Sequence, residues 1–116
     1  MESAKAFRLD GFEFKLTPID GKLLIEAQDL SRPNSYSLTL DDGLVAQRTE
    51  KFFTNTQTLY QVFLKCLQGE KKNMKLMIQH TESRNIDLIF YVKVFLDEDF
   101  SKELSYRFRL EEEELE

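Results

Sequence analysis

The sequence predicts an α+β domain: an antiparallel sheet, or a small barrel-like sandwich, with two helices inserted midway. Three observations carry this expectation. Apolar residues alternate with polar ones at Phe12, Phe14 and Leu16, at Tyr36, Leu38 and Leu40, and at Tyr106, Phe108 and Leu110. That period of two marks a half-buried strand. Leu59, Val62, Phe63, Cys66 and Leu67 recur at the spacing of one helix face. Ile86 to Leu96 is apolar on both strand faces, as expected of a central strand covered on both sides.

Phe7 to Leu16 reads as a strand pair or one bent strand. Asp20-Gly21 is a hairpin signal, and Lys22 to Ala27 follows as strand. Ser31-Arg32-Pro33-Asn34 is a loop before the Tyr36–Leu40 strand. Asp41 and Asp42 offer helix caps, and Leu44, Val45, Arg48 and Phe52 trace a short amphipathic helix. For the longer helix, Thr54 with Gln57 resembles a capping box and Gly69 is a natural stop. Strands resume at Met74, where Leu76, Ile78 and His80 share a face, and Ser83-Arg84-Asn85 is a turn. The predicted order is three strands, a helix-turn-helix, then three strands. Residues 1–110 form one globular domain, and 111–116 an acidic, solvated tail.

Bulk properties narrow the function classes. A chain of 116 residues with 41% apolar and 32% charged content is long enough for one domain with a modest core. Ten Phe and four Tyr, without Trp, suit strands. A net charge of −5 argues against nucleic acid as the main partner, since phosphate backbones call for a basic stripe. Lys71, Lys72 and Lys75 form a basic cluster that reads as a solvated turn. Cys66, the sole cysteine, excludes an intrachain disulfide and suits a reducing compartment. Residues 1–5 lack the basic and apolar regions of a signal peptide, and no apolar run approaches the roughly 20 residues of a membrane span. The expectation is a cytoplasmic domain without a membrane or nucleic-acid partner.

Chemistry finds no constellation. One His and one Cys do not make a zinc site, and no calcium-loop pattern occurs. His80 lies on the apolar-side register of its strand and reads as a structural histidine. Cys66 falls on the apolar face of the long helix, where a cysteine is an inert small hydrophobe. The four glycines are scattered at turns and form no phosphate cradle. Asp41-Asp42 and Asp97-Glu98-Asp99 sit in exposed contexts, without the contrasting environments that give two carboxylates different acid–base roles. Arg107 and Arg109 alternate with Tyr106 and Phe108, with the core face inward and the arginines out. No catalytic, cofactor or metal residue is expected.

One residue is out of place. Phe100 lies within Asp97-Glu98-Asp99-Phe100-Ser101-Lys102-Glu103, a polar stretch between two strand-like runs. Burying a Phe side chain stabilises by roughly 1.5–3 kcal/mol. Either Phe100 folds back to cap the core beside Phe95 and Leu96, or it rides on a hairpin tip as a knob for another protein's pocket.

The stretch Asp99-Phe100-Ser101-Lys102-Glu103-Leu104-Ser105-Tyr106-Arg107-Phe108-Arg109-Leu110 resembles the last hairpin in the head of the centriolar cartwheel protein, spindle assembly abnormal protein six. Arg32 to Leu40 is similar to that head's approach to its first helical stretch, and Phe63-Leu64-Lys65-Cys66-Leu67 to the end of its longer helix. The element order matches from about Phe12 to Leu110. The same head occurs in end-joining repair scaffolds. The cartwheel protein continues into a long coiled coil, whereas residues 111–116 are Glu-rich without a heptad, so the likeness points to the short "six-like" relatives. The resemblance implies a non-enzymatic cytoskeletal role at a centriole, basal body, flagellar base or apical complex. It implies weak head-to-head self-association through Phe100, into a pocket between the sheet and the long helix, and other cytoskeletal proteins as partners. A stand-alone adaptor binding a peptide or protein at an exposed sheet edge is the alternative.

Overall fold

The first two turns set the N-terminal half of the sheet. In the computed structural model, which describes residues 4–69, 72–81 and 84–113, Asp10 and Gly11 have φ of 49° and 82°, and Asp20 and Gly21 have 48° and 76°. Two successive left-handed residues make the two-residue hairpin turn whose twist matches the flanking strands. They join β1 (Lys5–Leu9), β2 (Phe12–Ile19) and β3 (Lys22–Asp29), with Leu9 opposite Phe12 and Ile19 opposite Lys22. The chain from Phe7 to Leu16 is thus a strand pair. Four strands, not three, precede the helices once β4 (Ser35–Leu40) pairs with β3. Pro18 lies beyond the last residue that β1 pairs, Leu16, where a missing N–H leaves the β1–β2 ladder intact.

Both predicted aspartate caps are used, on different helices. Asp41 Oδ1 accepts from the Leu44 amide at 2.8 Å and starts α1 (Asp42–Arg48). Asp42 Oδ1 accepts from the Thr56 amide, also at 2.8 Å, and so ties α1 to the first turn of α2 (Thr56–Leu67). The cap of α2 itself is Asn55, whose side chain accepts from the Thr58 amide, rather than the Thr54–Gln57 box. The first helix ends at Arg48 and leaves Phe52 outside it. The hydroxyl of buried Thr49 bonds the Val45 carbonyl and the Phe53 amide, and Glu50 and Lys51 turn with positive φ. Gly69, at φ 72°, ends α2 as expected.

The C-terminal half is a three-stranded ladder: β5 (Met74–His80), β6 (Ile86–Phe95) and β7 (Ser101–Glu112). The spatial order is β1-β2-β3-β4-β7-β6-β5, an antiparallel sheet curled into a nearly closed barrel with the two helices. The curl brings the His80 ring of β5 within 5.5 Å of the Phe12 ring of β2. Among the described residues the halves join through the pairs Tyr36–Glu112 and Ser37–Glu111, and the Glu113 amide donates to the Ser35 carbonyl at 2.8 Å just beyond them. The acidic run predicted as a tail from residue 111 therefore begins inside β7, because the ladder to β4 needs those two backbones. Glu114 and Ser83 lie outside the described residues, as does Lys71.

Aromatic packing fills the core. Phe63 of α2, fully buried, meets Phe90 at 5.9 Å and Phe108 at 5.6 Å between ring centroids. The buried helix face is Thr56, Leu59, Tyr60 and Phe63. Val62, Cys66 and Leu67 flank it half-buried, so Cys66 sits at the margin of the core. Partial burial alone pushes its thiol up to about 11.

As expected, β6 lies inside the sheet, paired on both sides by β5 and β7, and both its faces are buried from Ile86 to Phe90. The expectation of an apolar outer face needs correcting. That face carries Asp87, 1% exposed, before Ile89. Arg109 Nε donates to Asp87 Oδ1 at 3.0 Å, and Arg107 Nε lies 3.4 Å from Oδ2. These partners follow from register, since Arg109 stands directly opposite Asp87. The outer face is covered by side chains from the flanking strands, not by a second layer. Asp87 in turn raises the Arg109 guanidinium, through the hydrogen bond first and its charge second.

Candidate protein-interaction site

Phe100 stands in solvent, at 65% exposure, on the loop that joins β6 to β7. Phe95 and Leu96 do not shelter it, being 64% and 71% exposed themselves. The fold-back reading fails because no core lies at this end of the hairpin: α2 covers Phe90 and Phe108, and its packing does not extend to the tip. Of the seven large hydrophobic residues that are exposed among the described residues, these three share the tip of one hairpin, which sets it apart from scattered surface apolars.

The loop is braced. Leu96 N donates to the Phe100 carbonyl at 2.9 Å, and Asp97 N to the same oxygen at 3.3 Å. Asp97 Oδ1 accepts from the amides of Asp99 at 2.7 Å and Phe100 at 3.0 Å. An aspartate that bonds the backbone two and three residues on fixes a turn locally. Phe100 therefore projects from a defined turn, flanked by the carboxylates of Asp97, Glu98 and Asp99. The Nζ of Lys93 sits 5.5 Å over the Phe95 ring at the foot of the tip.

Two concavities bear on a receptor for such a knob. Between the α2 N-terminus and the β2–β3 hairpin lies a depression of about 340 Å³, lined by Ile19, Leu23, Asp42, Asn55, Thr56 and Tyr60 among others. It matches the expected place between sheet and long helix, but its wall is in good part polar. A larger groove of about 900 Å³ runs beside the tip across β5, β6 and β7. Met74, Met77, Tyr91, Val92, Phe95 and Leu104 line it, with Lys72, Lys75 and Lys93 around them. Lys75 Nζ lies 5.4 Å over the Tyr91 ring. The groove escapes sequence reading because its lining comes from three strands; the one signal was the Lys72–Lys75 cluster beside Met74 and Met77.

His80 ends β5, exposed, with its ring against Phe12. The nearby Asp29 carboxylate is held below the usual range chiefly by the Ser31 amide, then by the Ser31 hydroxyl. Among the described residues no group of three His, Cys, Asp or Glu is arranged to hold a metal, and no helix is long and apolar enough to cross a membrane.

No family model matches the chain, and no curated protein sequence does so either. Among solved structures, the chain is similar to the crystal structure of the head domain of human CCDC61, with a TM-score of 0.81. The superposition covers 97% of this chain and 100% of that one, at 13% identity. The chain has a head-domain fold. The likeness is one of fold, end to end, and it agrees with the cartwheel-type head implied by the resemblance.

Proposed function

We propose that this domain is a non-enzymatic self-association module of a cytoskeletal assembly of the centriole, basal body or flagellar base. The observation that carries the reading is the braced, exposed Phe95–Leu96–Phe100 tip on a head-domain fold. Phe100 of one copy enters the apolar groove of a second, and the second returns the contact, which makes a twofold, self-complementary pair. The groove beside the tip is a better receptor than the depression at α2: it is larger, more of its lining is apolar, and it carries lysines opposite in charge to the tip's carboxylates. One knob per head makes a small patch, and such contacts are weak or transient. Losing a central aromatic typically costs about 2 kcal/mol, roughly thirtyfold in affinity.

Sedimentation equilibrium at rising concentration tests this. Wild type is expected to self-associate and Phe100→Glu to do so about thirtyfold more weakly. A wild type that stays monomeric to about 1 mM, the weak limit of useful affinity, contradicts the reading. So does a variant that associates equally well.

A sheet-edge adaptor is the second reading, favoured by the position of β5 at the end of the sheet with Met77 exposed beside its open edge. In that case Phe100→Glu leaves partner binding intact and a proline in β5 abolishes it.

A further inference from the structure

A second site lies on the opposite side of β7 from the groove, where β4 and β7 part. Their ladder stops after Ser37–Glu111, and α1 packs on the inner side of the gap, with Val45 fully buried. On the outer side the divergence leaves a valley of about 550 Å³. Inward Tyr36 and Leu40 turn Ser37 and Thr39 outward on β4, and inward Phe108 and Leu110 turn Arg107 and Arg109 outward on β7. Arg48, in the last turn of α1, lines the same valley, and Glu111 closes it.

Two of these arginines are preset. Buried Asp87 takes the Nε edge of both, and Gln79 Oε1 accepts from Arg107 Nη2 at 3.1 Å. Their side chains remain 56% and 52% exposed. A guanidinium has five N–H donors, so each keeps donors beyond those contacts. Fixing two guanidiniums in advance removes much of the rotamer entropy that an exposed arginine loses on binding. With Arg48 and the two hydroxyls, the valley gathers three cationic forks and two O–H groups on a chain of net charge −5.

We propose that this valley binds a phosphomonoester dianion carried on a partner polypeptide, a phosphoserine or phosphothreonine. Three acceptor oxygens and up to two negative charges match this many convergent donors better than the two oxygens of a carboxylate. An extended nucleic acid fits poorly. Its three arginines form a compact cluster suited to one phosphoryl group, and among the described residues lining the valley no further cation extends it into a stripe. The site shares no residue with the Phe100 tip or its groove, so it stands apart from the self-association reading.

The test follows the arginine Nε–H resonances of the whole chain at low ionic strength. The probes are a capped Ala-phosphoserine-Ala peptide, its unphosphorylated twin, inorganic phosphate, and sodium chloride of matched ionic strength. The phosphopeptide is expected to shift Arg48, Arg107 and Arg109 saturably, while Arg8, Arg32 and Arg84 stay put. Arg48→Gln is expected to weaken binding about tenfold, the loss of one charge-assisted hydrogen bond. Arg48 is exposed and holds no buried group, so this variant should fold normally. Inorganic phosphate acting on the same three signals supports recognition of the phosphoryl group itself. The proposal is overturned if the twin or chloride produces the same shifts, if all six arginines respond alike, or if Arg48→Gln binds as wild type does.

Discussion

The two ends of the β6–β7 hairpin treat the same kind of residue in opposite ways. At the base, Phe90 and Phe108 are fully buried under Phe63 of α2. At the tip, Phe95 and Phe100 are about two-thirds exposed, although the ladder beneath them is unbroken from Ile86–Leu110 to Phe95–Ser101. Backbone pairing is common to both ends; the difference is the helix above. An aromatic residue is buried where α2 covers it and stays exposed where α2 does not reach.

The sharpest way to break this contrast is to compare truncations at the two ends. Phe63→Ala empties the centre of the aromatic cluster and is expected to cost about 3–5 kcal/mol, read as a lowered urea midpoint. Arg109→Ala tests the base from its outer face. It leaves buried Asp87 with Arg107 as its remaining ion-pair partner, and should cost about 1–3 kcal/mol by the same measurement. Phe100→Glu should change stability by less than about 0.5 kcal/mol, as for a surface site. A large loss there would show that the tip is folded against something after all.

The smallest effect concerns Cys66 at the margin of the core. Burial raises its thiol to about 11 from an ordinary 9.0. A folded-state value above the unfolded one favours the folded chain at low pH. That contribution is complete below about 9 and lost as pH rises towards 11, so the urea midpoint should fall across that window. Cys66→Ala should remove this part of the pH dependence.

Much of the architecture was legible because turn chemistry and periodicity are local. The alternation at Phe12–Leu16 and Tyr106–Leu110 gave inward and outward faces correctly, and the α2 spacing located the helix to within a rotation of its face. Asp10-Gly11 carried the same hairpin signal as Asp20-Gly21, and reading it would have supplied the fourth N-terminal strand. Asp87 was not legible as a buried charge. Its partners lie 20 and 22 positions away, and only the six-residue step from Phe95 to Ser101 sets the register that brings them opposite. Phe100 could be placed on a tip from its polar neighbours, but the groove beside it is built from three strands and becomes visible only once they are aligned.

The central claim is that knob and groove meet between copies, and a mixing experiment tests it most directly. Phe100→Glu keeps the groove and lacks the knob; Met77→Glu, at an exposed groove position, keeps the knob and spoils the groove. In a twofold pair the two variants together restore one of the two knob-in-groove contacts. Sedimentation of an equal mixture should therefore show more association than either variant alone at the same total concentration. A mixture that associates no better than its components contradicts the knob-and-groove account.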